Sequence, residues 1–352
     1  MKALILAGGE GTRLRPLTLA TPKPVVPVVN TPFLCYQIEL LRKHGIEEVV
    51  LSLSYQPHKI ESILGDGSRF GVRIHYVVEA SPLGTAGAFK NAEPLLNEAT
   101  IVFNGDILAE LDLQAVIDSH RRRKAVATLV LKRVSNPTAY GLVETESDGS
   151  VCRFLEKPGA NEITCDTINA GTYILEPEVL QFVPPGQNYS FERGVFPSLL
   201  RHHKPVSSWV SEGYWIDIGT PQKYLQVHQD ILSRQFQPVL TPFRHRAVSL
   251  EQVEIDERSV LAPGVQTGKD VRIVASCLGE GCMVGDQALI DRSVLWPGVT
   301  VGEHARLEGC IVGRGCKIGR HAVLSPGVVL GDDSVVGDFS LLPGSGGTPR
   351  DV

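Results

Sequence analysis

The 352-residue sequence lacks the marks of membrane, nucleic-acid-binding and disulfide-stabilised proteins. It has no run of about eighteen apolar residues, and the apolar stretch at residues 1–6 is too short for a signal peptide. A formal net charge of -5 does not suit a surface that binds nucleic acid or anionic lipid. Seven cysteines without a Cys-X-X-Cys pair predict reduced thiols. We therefore expect a cytoplasmic protein that binds neither nucleic acid nor membranes.

Two common nucleotide-binding motifs are also missing from the glycine-rich segment between Leu6 and Pro24. A P-loop requires the pattern GxxxxGK[ST], which does not occur here. A dinucleotide fingerprint requires a third glycine at the position that Leu14 occupies in GEGTRL. Both of these phosphate-binding loops are therefore excluded.

The same segment is LAGGEGTRLRPLTLATPKP, and it follows a short apolar run that predicts a strand. The strand ends in three closely spaced glycines: Gly8, Gly9 and Gly11. Bare backbone N–H groups in such a turn bind phosphate oxygens. Arg13 adds a planar charged fork and Lys23 a compact charge, a pair suited to the two ends of a polyphosphate. The alternative is a tight turn with two surface cations.

Up to about residue 235, apolar runs alternate with amphipathic helices, which predicts an α/β domain with a mostly parallel sheet covered on both faces. Thr31-Pro32 is expected to open a helix that ends at His44-Gly45. Ser147-Asp148-Gly149 predicts a hairpin turn. The predicted strands are 49–53, 74–78, 101–103, 125–131, 142–145, 151–155 and 172–175.

From about residue 253, aliphatic residues recur in series with a period of six, and a usually small residue follows four positions later. This pattern is typical of a hexapeptide β-helix, in which three short strands make one coil. The predicted inward positions are Leu278, Val284, Ile290, Trp296, Val301, Leu307, Val312, Ile318, Leu324, Leu330 and Val336. We predict an α/β domain at 1–235, a linker at 236–252, the repeat domain at 253–340 and a flexible tail at 341–352. Because the ends and faces of repeat arrays need covering, we also predict a homo-oligomer formed through the β-helix.

Cysteine and histidine residues of the repeat region have a structural interpretation. Cys282 and Cys316 occupy the small corner position and Cys310 falls one place short of it, so packing is favoured over metal binding. His304 and His321 fall on loop positions and are expected at the surface. A catalytic base in this region, as in some acyltransferases, has no other support.

Two aspartates follow apolar strands in the first domain. Asp106 ends the segment IVFNGD, and Asp217 lies in YWIDIGTP, before a helix that Thr220 and Pro221 would begin. Ligands of open α/β sheets bind at the carboxyl ends of strands. Mg²⁺ takes one or two protein carboxylates and keeps several waters, so this pair beside a phosphate-binding turn predicts a Mg²⁺ site. Either aspartate alone could also cap a turn.

No Ser/His/Asp or Cys/His set stands out, and a phosphate nucleophile would need no general base. FLEKP supplies Glu156, which could accept bonds from sugar hydroxyls, and Lys157, which could neutralise a monophosphate. INAGTY supplies Asn169. EKP alone would be an ordinary surface turn.

The motifs LAGGEGTRL with PKP, PLGTAGA, FNGD, FLEKP, INAG and WIDIG, in this order, resemble the sugar-1-phosphate nucleotidyltransferases. Among these, the similarity is strongest to the mannose-1-phosphate guanylyltransferases, which also carry a C-terminal left-handed parallel β-helix. The resemblance covers nearly the whole chain and implies a Rossmann-like catalytic domain. Asn-Gly-Asp replaces the Asn-Ser-Asp that is frequent in guanylyltransferases.

The resemblance implies a role for each matching residue. Triphosphate contacts fall on Arg13 and Lys23, and Mg²⁺ ligands on Asp106 and Asp217. Nucleotide-binding positions are Leu6, Ala7, Gly8, Gly9, Gly11, Thr12, Glu79 and Gly84, and sugar-phosphate positions are Gly141, Glu156, Lys157, Asn169 and Gly171.

The substrate pair stays open at this point. Glu79, at the end of IHYVVE, favours GTP, because its two oxygens match the N1–H and 2-amino donors of guanine, whereas pyrimidine-specific relatives tend to carry glutamine there. A carboxylate pointing to solvent is the alternative. The sequence thus allows GTP with mannose 1-phosphate, dTTP or UTP with glucose 1-phosphate, or a regulatory paralogue that binds sugar nucleotide without turnover. The charged positions expected of an active enzyme are all present.

Overall fold

The computed structural model describes residues 1–156, 159–239 and 253–344. Its contacts divide the chain into two compact units. The first contains Met1–Gly9 and Tyr36–Asp217, and the second contains Glu10–Cys35 together with the chain from Ile218 onwards. The glycine-rich segment therefore crosses from one unit to the other. Lys157, most of the predicted linker and the end of the predicted tail lie outside the described residues, and the predicted domain limits stay a prediction.

The chain up to residue 232 forms six helices and thirteen strands within the described residues. The helices are α1 (Phe33–Lys43), α2 (Pro57–Leu64), α3 (Gly84–Asn91), α4 (Leu113–Arg123), α5 (Phe196–Arg201) and α6 (Pro221–Leu232). The strands are β1 (Lys2–Leu6), β2 (Pro27–Val28), β3 (Thr31–Pro32), β4 (Glu48–Leu53), β5 (Arg73–Val78), β6 (Thr100–Asn104), β7 (Ile107–Ala109), β8 (Ala127–Arg133), β9 (Gly141–Thr145), β10 (Val151–Glu156), β11 (Thr167–Leu175), β12 (Val206–Ser211) and β13 (Trp215–Asp217). None of the helices in the described parts of the chain is long and apolar enough to cross a membrane.

A nine-stranded mixed sheet forms the core of the first unit, with the order β10-β9-β11-β6-β1-β4-β5 and with β8 and β12 joined to it through β11. Strands β5, β4, β1 and β6 run parallel, whereas β11 runs antiparallel to β6. Ala3, Leu4 and Ile5 of β1 are fully buried. Such continuous burial is typical of parallel strands covered on both faces, which is why the apolar runs predicted them.

The helix expected to open at Thr31-Pro32 begins instead at Phe33. Thr31 and Pro32 form β3, which pairs antiparallel with β2. The two residues between these strands, Val29 and Asn30, have φ of 44° and 63°. Positive φ at both central positions is the geometry of a tight hairpin. The prediction was wrong because Val29 gives no sequence signal for this turn.

The C-terminal part of the second unit is a β-helix, because its sixteen strands fall into three parallel sheets and each coil adds one strand to each sheet. The strands are β14 (Val253–Ile255), β15 (Val260–Leu261), β16 (Gln266–Thr267), β17 (Val271–Val274), β18 (Cys277–Leu278), β19 (Met283–Val284), β20 (Leu289–Asp291), β21 (Val294–Leu295), β22 (Thr300–Val301), β23 (Arg306–Glu308), β24 (Ile311–Val312), β25 (Lys317–Ile318), β26 (Val323–Leu324), β27 (Val329–Leu330), β28 (Val335–Val336) and β29 (Leu341–Leu342). The repeat prediction is confirmed.

The inward position of the β-helix that was predicted at Trp296 lies one residue earlier, at Leu295. Leu295 pairs with Leu278 and lies in the core of the β-helix, whereas Trp296 does not continue the inward row. Trp296 is 1 % exposed and donates its indole N–H to the hydroxyl of Tyr224 in α6 at 3.0 Å. The spacing between Ile290 and the next inward residue is therefore shorter than six.

The cysteine and histidine interpretations of the repeat region are confirmed. Cys282, Cys310 and Cys316 are fully buried. Burial raises the pKa of the Cys282 thiol to about 11 and that of Cys310 to about 12. His304 and His321 are exposed, and their rings stack 4.6 Å apart.

Candidate functional site

Strands β1 and β6 end side by side, and the chains that follow them approach each other too closely to leave room for a Cβ atom at Gly105. The N–H of Gly105 donates to the carbonyl oxygen of Leu6 at 2.9 Å, and a Cβ on Gly105 would lie only 2.6 Å from that oxygen. A Cβ on Gly8 would lie 3.0 Å from Oε1 of Glu79. These glycines let the turn after β1, with Ala7, share one sheet edge with Asp106.

The two predicted metal-binding aspartates lie at the same end of a short two-stranded ladder. Strands β7 and β13 pair antiparallel, and Asp217 is opposite Ile107, the residue that follows Asp106. A buried amide from α1 supports this corner: Nε2 of Gln37 donates to the carbonyl oxygens of Asn104 at 2.9 Å and Ile107 at 2.8 Å. The pairing thus brings the backbone of Asp217 next to that of a residue adjoining Asp106, although the two aspartates are far apart in the sequence.

The residues at this corner fit a magnesium ion better than an ion that needs an all-protein cage. Among the described residues there is no group of three or more His, Cys, Asp or Glu side chains that could hold a metal. Mg²⁺ is commonly held by one or two carboxylates, with waters and substrate phosphates completing its shell. Oδ1 of Asn104 is buried beside Asp106 without a hydrogen bond, an oxygen left for a ligand.

Of the candidate sugar residues in the described part of the chain, Asn169 and Gly171 adjoin the same corner, whereas Gly141 and Glu156 pair with each other on β9 and β10. Gly171, in the left-handed region at φ 71°, packs on Asn104, whose Nδ2 would be 2.8 Å from a Cβ there. Asn169 accepts from the N–H of Gly171 at 3.1 Å. Gly141 pairs with Glu156, and a Cβ on Gly141 would lie 2.9 Å from Oε2 of Glu156. Larger residues at Gly141 or Gly171 would displace polar atoms of the candidate pocket.

Glu79 is 7 % exposed, so the solvent-facing alternative is wrong. Its Oε1 accepts from the hydroxyl of Ser52 at 3.0 Å, and its Oε2 accepts from the N–H of Leu83 at 2.8 Å. The carboxylate thereby holds the turn that leads to Gly84. Each oxygen has a second lone pair, so these bonds leave room for further donors.

The triphosphate candidates Arg13 and Lys23 belong to the second unit. Gly11, at φ 66°, packs on Lys23, because a Cβ on Gly11 would lie 2.8 Å from the Cβ of Lys23. Thr12 and Arg13 are exposed in a short 3₁₀ turn, Thr12–Leu14, whereas Lys23 is 8 % exposed. The glycine thus brings the loop carrying the arginine against the lysine.

Sequence reasoning missed several polar side chains that support the site. They are Gln37, Ser52, Thr85, Tyr173, Glu192 and Trp215. Trp215, for example, donates its indole N–H to the carbonyl oxygen of Ala170 at 2.9 Å. Each has a hydrogen-bond partner that lies 19 to 107 residues away along the chain, so no local spacing indicated that contact. Thr85, Tyr173 and Trp215 fall inside the motifs PLGTAGA, INAGTY and WIDIG, which was the only available signal.

Comparisons with known proteins place both parts of the chain. The family described as "Nucleotidyl transferase" matches residues 2–234. The family described as "EIF2B subunit epsilon LbH domain" matches residues 241–341.

Individual relatives cover most of the chain. A mannose-1-phosphate guanylyltransferase of Mycobacterium tuberculosis is 38 % identical over 82 % of this chain and 78 % of its own length. A UTP–glucose-1-phosphate uridylyltransferase of Synechocystis is 33 % identical over 83 % of this chain and 81 % of its own length. The crystal structure of HddC from Yersinia pseudotuberculosis complexed with GMP-PN is 32 % identical, with a TM-score of 0.56, and covers 64 % of this chain and 97 % of HddC.

Proposed function

This chain belongs to the nucleotidyl transferase family, and we propose that it transfers the guanylyl group of GTP to mannose 1-phosphate, giving GDP-mannose and pyrophosphate. The observation that carries the proposal is the corner where Asp217 pairs with the residue that follows Asp106, next to the turn after β1. The similarity to a mannose-1-phosphate guanylyltransferase supports the choice of sugar.

In the proposed reaction a phosphate oxygen of the sugar 1-phosphate attacks the α-phosphorus of the nucleotide. The new P–O bond forms as the bond from the α-phosphorus to the α,β-bridging oxygen breaks, and pyrophosphate leaves with that electron pair. Because the attacking phosphate is already anionic at neutral pH, catalysis reduces to alignment and to stabilising the charge on the leaving group.

The charged residues divide this work. Arg13 would bind the triphosphate through its fork of donors, and Lys23 would add a point charge on the same group. Glu156 would accept bonds from sugar hydroxyls and Asn169 would add an amide. Lys157, which lies outside the described residues, is the candidate for the sugar phosphate.

Asp106 and Asp217 are the residues that would hold Mg²⁺. The ion, when bound, would neutralise phosphate charge in the transition state. Asn104 lies two residues before Asp106, and its buried Oδ1 would accept a hydrogen bond in the network around the ion.

A second pair, UTP with glucose 1-phosphate, is favoured by the similarity to the Synechocystis uridylyltransferase. The buried carboxylate of Glu79 favours guanine instead, because it supplies acceptors where guanine presents two neighbouring donors. HddC has been crystallised with the guanine nucleotide analogue GMP-PN, which also supports GTP.

Pyrophosphate release over a grid of nucleoside triphosphates and sugar 1-phosphates tests this proposal. We expect kcat/KM to be highest for GTP with mannose 1-phosphate. Highest activity with UTP and glucose 1-phosphate would establish the second pair, and absence of pyrophosphate release from every pair would refute nucleotidyl transfer itself.

A further inference from the structure

Glu192 lies between the two halves of the candidate substrate site. It belongs to a five-residue π-helical turn, Phe191–Val195, which follows Ser190. Turns of this kind interrupt regular helices and often occur at functional sites. None of the sequence motifs includes Glu192, and its position becomes meaningful only through its contacts.

Three hydroxyl groups donate to the carboxylate of Glu192. The hydroxyl of Tyr173 donates to Oε1 at 3.2 Å, and those of Ser190 and Thr85 donate to Oε2 at 2.6 Å and 3.0 Å. Thr85 lies at the start of α3, directly after Gly84, and it also accepts from the N–H of Phe191 at 2.9 Å. A carboxylate is the strongest acceptor for such groups.

The segment before Glu192 also holds the loop that leads to Gly84. The side chain of Asn188 donates to the carbonyl oxygen of Pro82 at 2.9 Å. The N–H of Tyr189 donates to the carbonyl oxygen of Leu83 at 2.8 Å, and the carbonyl oxygen of Tyr189 accepts from Ala86 at 2.9 Å. The candidate nucleotide loop and the Glu192 turn therefore form one hydrogen-bonded structure.

The other arm of the network reaches the candidate sugar pocket. Tyr173 is fully buried between aromatic rings, with the Phe191 and Phe196 centroids at 5.5 Å and 5.1 Å. Burial, and then the Glu192 carboxylate, raise the pKa of Tyr173 well above its usual value, so the phenol keeps its proton. Nδ2 of Asn169 donates to the Tyr173 oxygen at 2.7 Å.

The direction of each bond follows from the carboxylate, which can only accept. Because Tyr173 donates its single proton to Glu192, its oxygen must accept from Asn169. The amide of Asn169 is thereby oriented: Nδ2 faces Tyr173, and Oδ1 accepts from the N–H of Gly171 at 3.1 Å. The second N–H of that amide is then the donor available to a sugar hydroxyl.

We propose that Glu192 is a positioning residue that orients Asn169 for the sugar 1-phosphate and couples that orientation to the nucleotide loop through Thr85. This role rests on the proposed function for its two substrates. Its consequence is that a change on the nucleotide side, at Thr85, alters affinity on the sugar side.

Glu192→Gln tests the orientation with little change in shape. The carboxamide has one acceptor oxygen and one amino group, so it cannot accept from three hydroxyls, and Tyr173 is no longer forced to donate toward it. We expect the Kd for mannose 1-phosphate, measured by calorimetry with Mg²⁺ present, to rise about two- to tenfold, the effect of losing one hydrogen bond between neutral groups. Glu178→Gln is the matched control, because Glu178 pairs with Lys204 outside this network, and its Kd should match the wild type.

A double-mutant cycle separates positioning from general loss of structure. Tyr173→Phe should raise the same Kd, and combining it with Glu192→Gln should add nothing, because both break one chain of bonds. Thr85→Val should raise the Kd for mannose 1-phosphate as well, and Thr85→Ser should restore it. Additive losses in the cycle, or wild-type Kd values in Glu192→Gln or Thr85→Val, would overturn the proposal.

The same samples distinguish this inference from the proposed function. If the wild type turns over substrate but the variants bind mannose 1-phosphate normally, only the role of Glu192 fails. If the variants weaken binding as expected but no substrate pair releases pyrophosphate, the proposed function fails and the coupling stands. A wild type that binds no sugar 1-phosphate refutes both.

Discussion

At the scale of single residues, the effect of the planar geometry of the Arg13 guanidinium can be measured separately from the effect of its charge. Arg13 is exposed in its 3₁₀ turn, so its substitution should leave the fold unchanged. Arg13→Lys keeps the charge but loses the planar fork of donors. If the triphosphate contact is bidentate, kcat/KM for GTP should fall nearly as far in Arg13→Lys as in Arg13→Ala. Retention of most activity by the lysine variant alone would indicate simple electrostatic attraction.

Base choice is the second property that one residue should control. Glu79→Gln replaces one acceptor oxygen with a donor group, so an N–H of guanine would lose its partner at a cost of about 1–3 kcal/mol. We expect kcat/KM for GTP to fall about ten- to a hundredfold and the relative use of UTP or dTTP to rise.

Ser52→Ala is the control for Glu79→Gln, since it removes only the internal bond to Oε1 and leaves both carboxylate oxygens in place. The control should keep the wild-type preference for GTP. An unchanged nucleotide preference in Glu79→Gln would remove the argument for guanine.

At the scale of elements, the sequence predicted most of the central sheet because parallel strands are buried on both faces and so form continuous apolar runs. The pair Thr220-Pro221 also predicted the start of α6. In the structure the helix begins at Pro221, and the Thr220 side chain accepts from the N–H of Lys223. Two features could not be predicted from local spacing. They are the hairpin at Val29 and the side chain of Trp296, which packs outside the core of the β-helix and donates to Tyr224 of α6.

In the candidate site, too, local motifs predicted some features and tertiary contacts determine the others. Motifs singled out the aspartates, but only the pairing of β7 with β13 shows that Asp217 lies opposite the residue that follows Asp106. Glu192 and Thr85 are 107 residues apart, so no local pattern relates them. Candidate substrate contacts such as Asp106 fall in motifs, whereas the contacts of Glu192 are defined only by the folded chain.

Helix α6 carries a buried histidine that should make stability depend on pH. His228 is fully buried, its Nδ1–H donates to the Tyr224 carbonyl oxygen at 2.8 Å, and burial lowers its pKa to about 4. In the unfolded chain the pKa is about 6.5. The unfolded state therefore binds more protons between these values, and the free energy of unfolding should fall by roughly 3 kcal/mol as the pH drops from 6.5 to 4.

Chemical denaturation across this pH range measures the effect. His228→Gln keeps a donor for the carbonyl but does not titrate, so its free energy of unfolding should fall less steeply with pH. His58→Gln is the control, because the side chain of His58 is 95 % exposed. Equal pH slopes for His228→Gln and the wild type would contradict the assignment.

At the scale of the whole molecule, the loop that carries Arg13 and the β-helix belong to one compact unit. The Asn30 side chain donates to the Leu278 carbonyl oxygen at 2.9 Å, and the Tyr224 hydroxyl links the indole of Trp296 to the carbonyl oxygen of Pro27. These contacts join residues 10–35 and α6 to the coils of the β-helix. The loop carrying Arg13 is therefore supported by residues from the far end of the chain.

A chain truncated near Pro242, which lies outside the described residues, tests whether the β-helix supports the loop that carries Arg13. The truncated chain loses Leu278 and Trp296, so we expect its first unit to fold but its Kd for GTP to rise at least about tenfold. Trp296→Phe, in the full-length chain, removes only the indole donor and should have a smaller effect. Wild-type GTP affinity in the truncated chain would show that the loop needs no support from the β-helix.

The same truncation tests the predicted assembly. Because exposed ends and faces of repeat arrays favour self-association, we expect the full-length chain to be an oligomer and the truncated chain to be smaller in subunit number. Light scattering on both chains measures this directly. A monomeric full-length chain would refute the role of the β-helix in assembly.

The central claim is that Asp106 and Asp217 together serve nucleotidyl transfer, and the fate of the α-phosphate tests it most directly. With GTP labelled at the α-phosphorus, mannose 1-phosphate and Mg²⁺, the wild type should place the label in GDP-mannose and leave pyrophosphate unlabelled. Asp106→Asn and Asp217→Asn should each lose most of this transfer while remaining folded, and EDTA should abolish it until Mg²⁺ is restored. Undiminished label transfer in either variant, or label recovered only as free GMP, would contradict the account.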